Sequence, residues 1–202
     1  DAACALGSSE KGIKCGNISD LTCFSFHPRK LVCTGEGGAI TLDRKDWMDE
    51  LTIMLDHGSK YTNGVYDFIE YGYNYRLSEL QAAMGVVQVK KLEQIVDSRL
   101  ALRNRFIEKL EVAGYRPQLV SEDVRYNVQS LVFVVPDNIS RNGLIAYLKD
   151  KGIESTIGTY CLSGCTYYSK KYNNIQPNAY KLYNTTITLP CHSEVDPDMV
   201  CE

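Results

Sequence analysis

The order of its apolar runs predicts that this sequence folds as an α/β protein. Three observations carry that reading. Short runs such as Leu21–Phe26 and Thr185–Leu189 are each closed by a nearby proline, as strands are. From Leu77 to Leu110 the apolar residues recur at near-helical spacing. Beyond Tyr126 the order strand, helix, strand, strand points to a small α/β unit. The chain has 202 residues, 44% of them hydrophobic and 23% charged, enough for one large domain or two small ones.

Asp1–Ala2–Ala3–Cys4–Ala5–Leu6–Gly7–Ser8 opens the chain with small residues, which allow close packing against something flat or bulky. A polar loop follows, to Cys15. Leu21 to Phe26 reads as a short strand, which Pro28 ends because proline has no N–H for a ladder. Lys30 follows the break, and the glycine-rich turn Thr34–Gly35–Glu36–Gly37–Gly38 follows the lysine. Together these form a strand end that presents an amine beside backbone able to approach a ligand closely. Ala39 to Leu42 is the next strand. Asp43 is placed to cap a helix from about Arg44 to His57, with Trp47, Leu51, Met54 and Leu55 on one buried face and Gly58 at its stop. Lys60 to Tyr73 reads as a loop.

Ser78 with Gln81 is a capping-box signal. It opens one long helix, or two with a bend near Gly85 to Lys91, running down to Gly114. Tyr126 to Val135 is a strand ended by Pro136. Ser140 caps a helix through Leu144 and Leu148, stopped by Gly152, and Ile153 to Ile157 is extended. Tyr160 to Asn178 reads as a long irregular stretch, of the kind that is functional or disordered. Asn178 to Asn184 is a helical turn, Thr185 to Leu189 a strand, and Asp196 to Glu202 the start of a final helix.

Charge and cysteine usage exclude several classes. A net charge of −3 gives no surface for nucleic acid or anionic membrane. No apolar run reaches the roughly 18 residues needed to span a bilayer, and no signal peptide opens the chain. The eight cysteines contain no C-x-x-C pair, and Cys161 and Cys165 have no histidine pair nearby, so no metal site is expected. They read as reduced thiols of a cytoplasmic protein. Under that reading the N-x-S/T strings at Asn17, Asn138 and Asn184 are chance matches.

Three strings carry chemistry: Asp1 to Gly7, Ser25–Phe26–His27–Pro28–Arg29–Lys30 with Thr34 to Gly38, and Gly72–Tyr73–Asn74–Tyr75–Arg76. Their order resembles that of the DegT/DnrJ/EryC1/StrS family of sugar aminotransferases, which depend on pyridoxal 5'-phosphate (PLP). The resemblance covers Asp1 to Val200 and fades at 158–180. It implies the fold type I, aspartate aminotransferase-like architecture. Residues 1–75 would be the C-terminal part of the large cofactor domain, 76–115 a connecting helix or helices, and 116–202 the small C-terminal α/β domain.

The resemblance also implies roles. Lys30 matches the lysine that holds the cofactor covalently, is released on exchange with the amino substrate, and then moves a proton. Asp1 matches the aspartate that pairs with the pyridine nitrogen. Ser25 and Cys4 fall at cofactor-contacting positions, the family often having Gln or His where this chain has Cys4. Asn74 matches an asparagine that reaches the phosphate in the neighbouring subunit, and a helix start is a sensible place to hold an anion. Arg76 and His27 fall on the substrate side.

The implied activity is transfer of an amine, from L-glutamate, to a nucleotide-linked keto-sugar, in a homodimer with shared sites. A sugar dehydratase relative and an inactive binding or scaffold relative remain alternatives. Because Asp1 stands inside a motif, the sequence reads as a piece of a longer protein that is not a competent enzyme by itself.

Overall fold

The computed structural model describes residues 1–201. Its strands in chain order are β1 (Ser9–Glu10), β2 (Ile13–Lys14), β3 (Leu21–Ser25), β4 (Gly38–Leu42), β5 (Ser59–Thr62), β6 (Val65–Phe68), β7 (Arg116–Pro117), β8 (Val124–Arg125), β9 (Leu131–Val134), β10 (Thr156–Ile157) and β11 (Thr186–Leu189). The helices are α1 (Lys45–Leu55), α2 (Glu79–Lys90), α3 (Leu92–Leu110), α4 (Arg141–Asp150), α5 (Thr166–Tyr172), α6 (Pro177–Thr185) and α7 (Pro197–Cys201). The chain divides into two compact units. One is Asp1–Ile95 with Glu122–Gln129, and the other is Val96–Ser121 with the residues from Ser130 onward.

In the first unit, β3 and β4 form an antiparallel hairpin in which Cys23 faces Ile40 and Ser25 faces Gly38. Between these two strands lies the loop that carries Lys30. A second small sheet joins β2, β1 and β8. The expected capping box is present: the Ser78 hydroxyl accepts the Gln81 amide, and the Gln81 side chain accepts the Ser78 amide at 3.2 Å. The helical stretch breaks at Lys91 into α2 and α3.

Three expectations in this unit need correction. The cap residue of α1 is Arg44, not Asp43, and it makes no side-chain cap bond. Its guanidinium instead pairs with Asp46 in the first turn and lies 4.2 Å from the Trp47 ring centre. Trp47, Leu51, Met54 and Leu55 are only half-buried. Residues 60–73 are not loop throughout, because β5 and β6 pair as a hairpin with Tyr61 opposite Tyr66. Its turn is Asn63–Gly64, both at positive φ (54° and 83°), the dipeptide that matches the twist of a two-residue hairpin.

The second unit is an antiparallel sheet in the order β10-β11-β9-β7. Phe133 on β9 pairs with Ile187 on β11, and both are fully buried with Phe106 of α3. The Ser140 hydroxyl accepts the Gly143 amide, as the sequence leads one to expect, and Gly152 at φ 76° follows the helix stop. Arg141 is buried, donating to the Thr186 carbonyl at 3.2 Å. The stretch 160–178 is more regular than expected: Asn173 at φ 44° ends α5, and Pro177 occupies the first turn of α6. Replacing Phe133 with Ala leaves a cavity beside Ile187. We expect a loss of about 3–5 kcal/mol in stability, read by denaturant unfolding.

The expected strand from Tyr126 to Val135 is interrupted. Pairing occurs only at β8 and β9, and Val128 between them sits at φ 51°, a conformation unusual for a β-branched residue. That break frees Asn127 and Gln129 from the ladders.

Candidate active site

The Lys30 loop is closed at its base by main-chain bonds. The Phe26 amide donates to the Gly37 carbonyl at 2.9 Å, and the Thr34 amide to the Phe26 carbonyl at 3.0 Å. Thr34 is buried and its hydroxyl donates to the Glu36 carbonyl at 2.7 Å. A glycine is required at 37: φ is 148°, and a Cβ there would lie 2.7 Å from Thr34 Oγ1 and 2.8 Å from Leu77 Cδ1.

Inside the loop the polar groups chain together. Ser25 Oγ accepts the His27 amide at 3.3 Å, His27 Nδ1 accepts the Arg29 amide at 3.1 Å, and the Lys30 amide donates to the His27 carbonyl at 2.9 Å. His27 Nε2 lies 3.9 Å from Glu36 Oε1. Lys30 Nζ reaches Cys4 Sγ at 2.9 Å.

The N-terminal turn is pinned to β3 by the Ala2 amide, which donates to the Cys23 carbonyl at 2.9 Å. Asp1 is exposed, with Oδ1 accepting the Ala3 amide at 3.0 Å. Sequence reasoning missed Asn127 and Gln129. The buried Asn127 donates to the carbonyls of Cys4 and Leu6, both at 2.9 Å. Gln129 donates to the Arg29 carbonyl at 2.6 Å and accepts the Leu31 amide at 3.3 Å. An asparagine and a glutamine two apart inside an apolar run were the signal available.

The structure thus brings Lys30 to Cys4, and joins Ser25 and His27 to the same loop. Arg76 pairs with Asp56 and borders a depression of about 330 Å³ lined also by Glu36, Gly37, Gly38 and Gln81. Gln81 donates to the Glu36 carbonyl at 2.8 Å, which ties the start of α2 to the glycine turn. Asn74 is exposed, and its backbone forms an antiparallel bridge with Asp56. Next to it Tyr73 and Tyr75 stack with ring centres 4.6 Å apart. All eight cysteines are free thiols. Among the described residues no group of three or more His, Cys, Asp or Glu side chains could hold a metal ion, and no helix is long and apolar enough to cross a membrane.

A model of the DegT/DnrJ/EryC1/StrS aminotransferase family matches residues 1–202. The chain belongs to this family. Among curated relatives, the UDP-4-amino-4,6-dideoxy-N-acetyl-beta-L-altrosamine transaminase of Campylobacter jejuni is 31% identical over 201 residues, covering 97% of this chain and 54% of that protein. Among solved structures, Spr1654 of Streptococcus pneumoniae, named as a sugar aminotransferase and solved in its PLP form, superposes with a TM-score of 0.89. It is 28% identical, with 99% of this chain and 54% of that one covered. A DegT DnrJ EryC1 StrS aminotransferase from Brucella abortus gives a TM-score of 0.88 at 28% identity, over 100% of this chain and 54% of that one. The chain spans about half the length of the curated relatives it matches. The fold is α/β, of the type I class shared by the PLP-dependent sugar aminotransferases of this family.

Proposed function

We propose that this family member serves as a PLP-dependent aminotransferase. It moves an amino group from L-glutamate to a nucleotide-linked keto-sugar in polysaccharide biosynthesis, in the cytoplasm and as a homodimer. The observation that carries the reading is the setting of Lys30: a half-buried amine at a strand end, 2.9 Å from a thiol and in no ion pair among the described residues. An amine not held in an ion pair is sterically open to form a covalent link with a carbonyl carbon.

The residues present fit the cofactor. Lys30 would hold it and afterwards move the proton at the substrate carbon as general base. Asp1 uses one oxygen on the Ala3 amide, leaving acceptor capacity to keep the pyridine nitrogen protonated. Ser25 Oγ accepts an amide and retains its own proton for a phosphate oxygen. Cys4 lies against the Lys30 amine, and the partner subunit's Asn74 would complete the phosphate site. Arg76, oriented by Asp56, and His27 face the substrate in this reading. When bound, PLP supplies the electron sink that no side chain offers. The same proposal assigns 1–75 to the large domain, 76–115 to the connection and 116–202 to the small domain.

Incubating the full-length protein with PLP, reducing with borohydride and mapping peptides tests this directly. The pyridoxyl group is expected on Lys30, and glutamate with a keto-sugar nucleotide should yield the amino-sugar nucleotide. Label on another lysine would overturn the proposal.

A further inference from the structure

The tip of the Lys30 loop has few internal ties. Pro28 has no N–H, and among the described residues the one main-chain bond within the tip is that from Lys30 to His27. A lysine side chain is long and flexible, so where its amine sits depends on how firmly the backbone beneath it is held. Gln129 supplies that hold from about a hundred residues away. One end of its carboxamide donates to the Arg29 carbonyl, and the other accepts the Leu31 amide, so the two bonds straddle the lysine.

Asn127 does the corresponding work on the other side. Its two N–H groups go to the carbonyls of Cys4 and Leu6, its carbonyl accepts the Gln129 amide at 3.1 Å, and its own amide donates to Ser8 Oγ at 3.1 Å. Every polar group of this buried side chain is used. The two residues therefore couple the turn bearing Asp1 and Cys4 to the loop bearing Lys30 through one short segment.

We propose that Gln129, braced by Asn127, is a positioning residue that fixes the Lys30 amine against the Asp1–Cys4 turn. This rests on the function proposed above. The groups Gln129 holds are main-chain atoms on a half-exposed loop, and water can replace it there. Its loss therefore loosens the lysine more than it unfolds the protein.

The test compares Gln129→Met, similar in size and without the carboxamide, with the unaltered protein. The rate at which PLP is trapped by borohydride on Lys30 should fall about ten-fold. The kcat for amino transfer should fall by a similar factor, with the sugar-nucleotide KM within about two-fold and Tm within a few degrees. An unchanged trapping rate and kcat in Gln129→Met, with the unaltered protein labelled on Lys30, overturns the positioning role alone. Failure of Gln129→Met to fold overturns it in favour of a purely structural role. Labelling of the unaltered protein at a different lysine overturns the functional reading and this inference together.

Discussion

Lys30→Ala is expected to lower kcat for amino transfer by at least about a thousand-fold, while Tm stays within a few degrees. The asymmetry follows from the site. The side chain contributes one contact, to Cys4 Sγ, and no ion pair among the described residues. The loop around it is held by main-chain bonds from Phe26, Thr34 and Lys30 itself, which alanine keeps. Gln129 likewise grips the flanking residues rather than residue 30. Single-turnover kinetics and a thermal melt on the same preparation separate chemistry from folding. A Lys30→Ala protein that transaminates at an undiminished rate would remove the lysine from the mechanism.

The second large effect is a recovery. Asn74→Ala and Lys30→Ala proteins are each expected to be nearly inactive when pure. In a mixed dimer one shared site lacks both groups and the other keeps both. Equal mixing should therefore restore about a quarter of the activity per chain. Asn74 suits the test because its side chain is exposed and its backbone pairing with Asp56 survives truncation. Mixed dimers that form but show no recovery, measured by activity after separation on differently tagged chains, would place Asn74 in its own subunit's site or in none.

What could be read from the sequence follows the range of the interactions involved. The β3 strand with its proline stop, the Ser78–Gln81 capping box and the Ser140 cap are decided within four or five residues, and all are present. The β5–β6 hairpin was hidden because Tyr61, Tyr66 and Phe68, though on one face, stay exposed on strands of only four residues, too short for alternation to stand out. The strand over 126–135 was overdrawn because Val128 adopts a backbone conformation that its residue type disfavours. At the site, Lys30, Ser25 and His27 sit on one contiguous string. The Cys4 contact and the Asn127–Gln129 bridge span from 26 to 123 positions of sequence, which no spacing rule reaches. Only the resemblance assigned Asp1, Cys4 and the neighbouring subunit's Asn74 to the cofactor.

The bridge from Gln129 has one more consequence, for how this sequence can drift. It is anchored on a carbonyl and an amide, groups carried by almost every residue, so the identities of residues 29 and 31 are invisible to it. Substitutions at the exposed Arg29 keep the carbonyl that Gln129 grips, so they leave the lysine between them held. The exception is chemical: proline at 31 would delete the amide that Gln129 accepts. A neighbourhood so built separates what must stay fixed from what is free to diverge.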